Sequence, residues 1–145
     1  MAKFFSRHDE DRIVAAIQEA ECDTSGEIRV HLQTEFAEGA PVLEAASETF
    51  HYLKMDETEQ RNGVLIFIAP TAHQFAILGD KGINEKVPEN FWEDVRNVLQ
   101  ADFRQGKFAD GLCKGIAMVG QKLKNFFPYQ SNDVNELPDE ISYGK

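Results

Sequence analysis

The sequence is poor in cysteine and has no long apolar run. Its 145 residues include 2 cysteines, Cys22 and Cys113, which are too few and too far apart for a disulfide framework or a metal-binding knuckle. We therefore expect reduced, packed thiols. No apolar stretch approaches the roughly 20 residues that cross a bilayer, and Met1–Asp9 turns acidic before an apolar signal segment forms. These absences predict a soluble, cytoplasmic protein without direct membrane insertion.

Positive charge is also scarce. Lys and Arg number 15 against 25 Asp and Glu, which gives a formal net charge of −10. Such a surface repels phosphate backbones, so we expect no nucleic-acid partner. It suits cations or a basic protein surface, although solubility alone also explains it.

Signatures of catalysis and of organic cofactors are missing as well. The sequence has neither the Gly-x-Ser-x-Gly elbow of a hydrolase nor the glycine loop of a nucleotide P-loop, so we expect no nucleotide or organic cofactor. The four histidines fall on different predicted elements and lack metal-ligand spacing: His8, His31, His51 and His73. We interpret His31 as a partly buried strand residue rather than a base.

An apolar centre lies within Arg61–Lys86. Val64–Ala69 is an unbroken apolar run rich in β-branched residues, which is typical of a strand covered on both faces. Pro70–His73 interrupts it, and Gln74–Leu78 resumes as a second strand. Because the connection is too short for a crossover, these strands are predicted to be antiparallel neighbours.

One further strand and about four helices complete the predicted domain. Glu27–Gln33 alternates apolar and polar residues, which indicates a half-polar strand near a sheet edge. A helix over Pro41–Lys54 would connect it to the central run in a β-α-β crossover with parallel strands. Apolar residues at helical spacing predict three more helices, at about residues 6–21, 88–104 and 108–123. These elements predict an α/β domain over residues 1–128 with a small mixed sheet, followed by a flexible acidic tail over residues 129–145.

This topology predicts that three polar loops meet at one end of the sheet: Asp23–Glu27, Asp56–Gly63 and Gly79–Glu89. They carry many carboxylates and two amides, namely Asp23, Glu27, Asp56, Glu57, Glu59, Asp80, Glu85, Glu89, Asn62 and Asn84. Oxygen ligands of this kind are what calcium requires. A solvated acidic rim explains the same pattern, and no EF-hand spacing is present.

Basic residues lie at the same end, namely Arg61, Lys81 and Lys86. Basic side chains near a helix start bind phosphate groups, so a phosphate-bearing ligand is a second hypothesis for this end. Ordinary surface charge is the alternative.

Several short motifs together resemble the TPM domain family. They are Thr24–Ile28 and Arg61–Leu65 at the strand starts, Gly79–Ile83 after the third strand, and Phe103–Phe108 followed by Gly111-Leu112. The resemblance covers about residues 10–125. From the sequence we expect three departures from the family pattern: no signal peptide, no membrane anchor, and Gly79–Gly82 in place of a Gly-Tyr-Gly-like loop.

The resemblance implies a three-layer α/β/α sandwich and calcium binding in a cleft. Members of the family include a thylakoid-lumen protein linked to photosystem repair, for which acid phosphatase activity is proposed, and an accessory subunit of a neurotransmitter receptor. Many bacterial relatives are exported or membrane-anchored and are encoded near LemA-type proteins. By resemblance, the partner would be a LemA-type or other membrane-associated protein.

Three functional hypotheses follow. The first is an accessory or interaction domain that binds calcium through Asp23, Glu27, Asn62 and Asp80. The second is a metal-assisted acid-phosphatase-like enzyme, in which Asp80 and Glu27 serve as metal ligand or base and Arg61 holds the phosphate. The third is a tail, Asn135–Ile141, that docks on a basic partner, with a solubilising terminus as the alternative.

Overall fold

The computed structural model describes residues 4–130 and 135–144. Within these residues the chain forms four strands, namely β1 (Glu27–Gln33), β2 (Gly63–Ala69), β3 (Gln74–Gly79) and β4 (Ser142–Gly144). It also forms five helices, namely α1 (Arg7–Ala20), α2 (Val42–Tyr52), α3 (Lys81–Asn84), α4 (Glu93–Arg104) and α5 (Phe108–Leu123). The four longer helices are those predicted, and α3 is a single extra turn in the loop after β3. No helix in the described part of the chain is long and apolar enough to cross a membrane.

The sheet has the strand order β3-β2-β1-β4. β1 and β2 are parallel, with Glu27 opposite Gly63, and α2 connects them, so the predicted β-α-β crossover is confirmed. β2 and β3 are antiparallel, with Val64 opposite Gly79, as their short connection predicted.

Helices cover both faces of the sheet and make an α/β/α sandwich. All seven residues of β2 are buried, which explains why its sequence is continuously apolar. On one face α1, α4 and α5 pack against the sheet through a core that includes Ile17, Ile28, Val64, Leu99, Ile116 and Val119. On the other face α2 packs through Ala46 and Phe50 against residues that include Leu65 and Phe67. The two layers of core hold β1 and β2 rigidly and so position the loops at their ends.

Local sequence signals account for the helix ends and the close helix contacts. The Ser6 hydroxyl accepts a hydrogen bond from the Asp9 amide at 3.0 Å, as an N-cap residue does. Where α1 meets α5, a Cβ on Gly120 would lie 2.8 Å from the Ala20 Cβ, so glycine permits this approach.

Both thiols are free; Cys113 is partly buried as expected, whereas Cys22 is exposed.

Residues 135–144, which we name the C-terminal strap, lie against the sheet rather than extending as a tail. Its strand β4 pairs in parallel with β1, with His31 opposite Ser142, and Leu137 is only 7% exposed. The expectation of a flexible tail therefore does not hold for these residues, while residues 131–134 and 145 lie outside the described ranges. Because β4 pairs with it, β1 lies between β2 and β4 and is an inner strand, not the strand near a sheet edge that its sequence predicted. The strap lies against the sheet because it supplies apolar cover and hydrogen bonds to the polar face of β1.

Candidate functional site

The three polar loops meet at one end of the sheet through backbone hydrogen bonds. The Glu27 amide donates to the Asn62 carbonyl at 3.2 Å, and the Asp80 amide donates to the Gly63 carbonyl at 2.9 Å. The Asn62 side chain, which is buried, donates from Nδ2 to the Ser25 carbonyl at 3.2 Å. The loops before β1 and β2 and after β3 are thus one connected unit.

Backbone conformation brings Arg61 close to the loop after β3. Arg61 has a φ of 51°, in the left-handed region that few residues other than glycine adopt. Its carbonyl accepts a hydrogen bond from the Gly82 amide at 2.9 Å. A Cβ on Gly82 would lie 2.2 Å from the Gln60 carbonyl oxygen, so this close approach requires glycine.

An open cavity of about 500 Å³ lies between these loops and α2. We name it the loop pocket. Its polar lining residues are Ser47, His51, Asp56, Arg61, Asp80, Lys81, Asn84 and Glu85. Carboxylates and basic groups therefore face the same space.

Asp80 and Arg61 form the best-defined pair in the loop pocket. Arg61 donates from Nε to Asp80 Oδ2 at 2.7 Å and from Nη2 to Oδ1 at 3.0 Å, a two-bond geometry that fixes both side chains. Asp80 Oδ1 also accepts the Lys81 amide at 2.8 Å and so caps α3. The carboxylate raises the pKa of Arg61 through this hydrogen bond, and the guanidinium stays charged.

His51 and Asp56 form a second pair, with Nδ1 and Oδ2 2.5 Å apart. Sequence reasoning placed Asp56 among the loop carboxylates but set His51 aside for lack of ligand spacing. The available signal was position, because His51 lies in the last turn of α2 and Asp56 begins the loop that follows it.

Of the four predicted metal ligands, only Asp80 lines the loop pocket. Asp23 faces a groove between α1 and α5, where its Oδ2 accepts from Gln121 Nε2 at 3.1 Å. Glu27 lies beneath the strap, and its Oε1 accepts the Leu137 amide at 2.8 Å. The Asn62 side chain donates a hydrogen bond from Nδ2 to the Ser25 carbonyl, whereas its Oδ1 has no hydrogen-bond partner among the described residues.

Four carboxyl groups, of which Glu27 is buried, gather where the strap crosses the start of β1. Burial raises the pKa of Glu27 to about 7, against the opposing effect of the Leu137 and Glu136 amides. Burial, together with a hydrogen bond to Asp139, raises the pKa of Glu21 to about 9. We name Glu21, Glu27, Glu136 and Asp139 the strap carboxyl cluster.

His31 is a structural residue of β1 that the strap also covers. Its Nδ1 lies 2.9 Å from Ser142 Oγ, its Nε2 lies 3.0 Å from Gln33 Oε1, and its ring stacks on Phe67. Burial lowers the pKa of His31. The sequence interpretation of His31 as a strand residue is therefore confirmed, although the side chain is buried rather than partly buried.

Comparison with known proteins identifies the family. The family model of the TPM domain matches residues 1–122. No curated protein matches the chain. The BA42 protein of the psychrophilic bacterium Bizionia argentinensis, solved by NMR, is 45% identical and superimposes with a TM-score of 0.92, over 99% of this chain and 98% of that one.

Two more distant structures share the fold. The N-terminal domain of the cg2496 protein from Corynebacterium glutamicum is 16% identical with a TM-score of 0.64, over 95% of this chain and 80% of that one. The N-terminal domain of a P. gingivalis protein is 16% identical with a TM-score of 0.68, over 88% of this chain and 83% of that one. Since the family model covers most of the residues and the BA42 structure nearly all of them, the chain belongs to the TPM domain family.

Proposed function

We propose that this TPM domain is an accessory or interaction domain that binds a divalent cation, calcium, in the loop pocket. The observation that carries the proposal is that three carboxylates from two loops line one open cavity: Asp56, Asp80 and Glu85. Calcium takes six to eight oxygen ligands from carboxylates, carbonyls and water, and an open cavity leaves room for the water.

The donor set fits a hard cation but is not yet arranged around one. Among residues 4–130 and 135–144, no group of three or more His, Cys, Asp or Glu is placed to hold a metal ion. Asp80 is paired with Arg61, so a cation would have to displace the guanidinium from the carboxylate. The Arg61 side chain is 44% exposed, so water can hydrate its guanidinium once a cation has displaced it from Asp80.

This ligand set revises the one expected from the sequence. Asp80 is kept, and Asp56 and Glu85 replace Asp23, Glu27 and Asn62, whose side chains contact other parts of the protein. The revision makes the two sets distinguishable by mutation.

A calcium titration followed by backbone amide NMR shifts tests the proposal. We expect shifts confined to the two loops at residues 56–63 and 79–85, with millimolar affinity because the charge of Arg61 competes. Glu85→Gln, on an exposed side chain, should weaken binding severalfold. Asp23→Asn removes the same charge outside the loop pocket and should leave binding unchanged. Absence of loop shifts at millimolar calcium, or equal loss in both variants, would exclude calcium from the loop pocket.

Phosphoester hydrolysis is the second candidate, favoured by the contact of His51 with Asp56 in the same cavity as Arg61. Arg61 would bind phosphate oxygens while water adds to phosphorus, loses a proton to solvent, and the P–O bond to the leaving group breaks. His51, oriented by Asp56, would give its proton to the leaving oxygen. Glu27, a candidate base from the sequence, lies beneath the strap and has no part in this arrangement.

Phosphate release from p-nitrophenyl phosphate with added magnesium or calcium tests this second candidate. His51→Gln, on an exposed side chain, should lower the rate at least tenfold, and His73→Gln at the far end of β2 should not. A rate that is the same with and without His51 would exclude this assignment of His51.

For partner and compartment we propose a LemA-type or other membrane-associated protein, by family resemblance, and the cytoplasm. The two free thiols suit a reducing compartment. A pull-down with the full chain tests the proposed partner. Repeating it after oxidation of the thiols tests whether binding requires the reduced protein, as a cytoplasmic location implies.

A further inference from the structure

A second cavity, of about 260 Å³, lies at the opposite end of the sheet from the loop pocket. It is bounded by the turn between β2 and β3 and by the junction of α4 with α5. We name it the hairpin pocket and define it by Phe75, Phe103, Phe108, His73, Gln100 and Arg104. It shares no residue with the loop pocket.

Aromatic rings form the floor of the hairpin pocket. The ring of Phe103 meets Phe75 edge-on with centroids 5.3 Å apart, and it meets Phe108 at a tilt with centroids 5.1 Å apart. All three side chains are only partly buried and line the cavity, so each keeps some ring surface that an apolar ligand can contact. Offset and edge-on ring contacts stabilise an aromatic guest beyond its buried area.

The rim of the hairpin pocket is basic, in contrast to the rest of the protein. None of the described residues that line it is Asp or Glu, although the chain has 25 acidic residues against 15 Lys and Arg. Arg104 lies on the rim and makes no ion pair with any residue in the described ranges. An uncompensated guanidinium presents paired N–H groups whose geometry matches a carboxylate.

We propose that the hairpin pocket binds small organic acids that combine an aromatic or other apolar body with a carboxylate. The body lies on the rings of Phe75, Phe103 and Phe108, and the carboxylate accepts hydrogen bonds from Arg104, with Gln100 as a neighbouring amide donor. The size of the pocket, just below the range of drug-sized ligand sites, selects small acids over long acyl chains.

Phenylacetate, titrated into the full chain and followed by amide NMR shifts, is the direct test. We expect shifts at residues 73–75 and 100–108 and contacts between the phenyl ring and the Phe103 and Phe108 rings. Phenylacetamide has the same shape without the charge and should bind about tenfold more weakly, since the lost ion pair is worth about 1.4 kcal/mol by the affinity scale. Equal binding of acid and amide would overturn the carboxylate assignment.

Arg104→Gln should weaken phenylacetate binding about tenfold and leave phenylacetamide binding unchanged. Arg96→Gln is the matched control, because Arg96 is an exposed arginine of the same helix that does not line the pocket. Unchanged affinity in Arg104→Gln, equal losses in both variants, or no shifts at all would overturn the proposal. Because both arginines are exposed, neither substitution endangers the fold.

Discussion

At the scale of single residues, Arg61 shows how one side chain links backbone geometry to ligand binding. Its left-handed backbone is held by the Gly82 amide, and its guanidinium is held by Asp80. The carboxylate that a cation needs is therefore already neutralised by a positive group. Arg61 thus competes with any cation in the loop pocket for the Asp80 carboxylate.

We predict that Arg61→Gln raises calcium affinity severalfold, because the cation no longer has to displace a guanidinium. The variant should also be less stable than the wild type without calcium, since Asp80 loses its partner, and added calcium should restore the melting temperature. Lys81→Gln removes one positive charge from the same cavity without removing a partner of the Asp80 carboxylate. Calorimetric titration and thermal melts check both effects. An equal gain in calcium affinity in the two variants would indicate that long-range charge, rather than displacement of the Arg61 guanidinium, limits calcium binding.

Glu27 makes the stability of the domain depend on pH. Its pKa in the folded protein is raised from 4.5 to about 7 by burial. Its contribution to stability is therefore complete below about pH 4.5 and is lost as the pH rises through about 7. Glu21, with a pKa raised to about 9, extends the loss to higher pH.

We predict that Glu27→Gln lessens the fall in the free energy of unfolding between mildly acidic and mildly alkaline pH. Glutamine keeps an oxygen to accept the Leu137 amide and cannot ionise, so the difference from wild type should reach the order of 1–3 kcal/mol at the alkaline end. Urea denaturation at several pH values measures it. Glu48→Gln, on an exposed residue of α2, should leave the pH profile unchanged. Parallel profiles of wild type and Glu27→Gln would show that Glu27 ionises normally.

At the scale of elements, the C-terminal strap is short yet well attached. β4 has three residues, too few to be stable by pairing alone. Side chains supply the rest: Leu137 enters the core beside α2, and the Tyr143 hydroxyl donates to the Glu10 carboxylate of α1. The strap therefore connects both helical layers of the sandwich.

We predict that Leu137→Ala lowers the free energy of unfolding by about 2–3 kcal/mol, as for other buried leucines truncated to alanine. Leu43→Ala makes the same chemical change on α2, where Leu43 is 63% exposed, and should cost less than about 0.5 kcal/mol. Urea denaturation of the two variants gives the comparison. A neutral Leu137→Ala would restore the flexible tail expected from the sequence.

At the scale of the whole molecule, the strap adds the edge strand β4 to the sheet and covers the start of β1. Without it, β1 would be an edge strand with unpaired backbone groups, and Glu27 and His31 would face solvent. The two cavities lie at opposite ends of the sheet, so occupation of one need not disturb the other.

We predict that deleting residues 135–145 lowers the melting temperature by several degrees and promotes self-association through the uncovered edge of β1. Light scattering and hydrogen exchange at β1 measure these effects. The shifts induced by phenylacetate should persist in the truncated chain if it remains folded, because the strap does not line the hairpin pocket. A truncated chain that stays monomeric with an unchanged melting temperature would show that the strap is not part of the domain.

Much of the fold was predictable because its signals are local. The continuous apolar run of β2 and the alternation of β1 are properties of neighbouring residues, and the short β2–β3 connection allows only an antiparallel pair. The meeting of the three loops followed from that topology. The four ligands chosen from those loops did not converge, because a shared loop end does not decide which way each side chain faces.

By itself, the sequence determined the α/β/α fold, the family and the loop end of the sheet, since these depend on periodicity and connection length. Only the tertiary structure decided the partners of the polar residues: Arg61 for Asp80, His51 for Asp56, and the strap for Glu27. The contact of Glu27 with Leu137 spans 110 positions, and no local pattern carries such a pairing. It arises because the Leu137 amide satisfies the buried Glu27 carboxyl group with a hydrogen bond, while the Leu137 side chain is removed from water in the core beside α2.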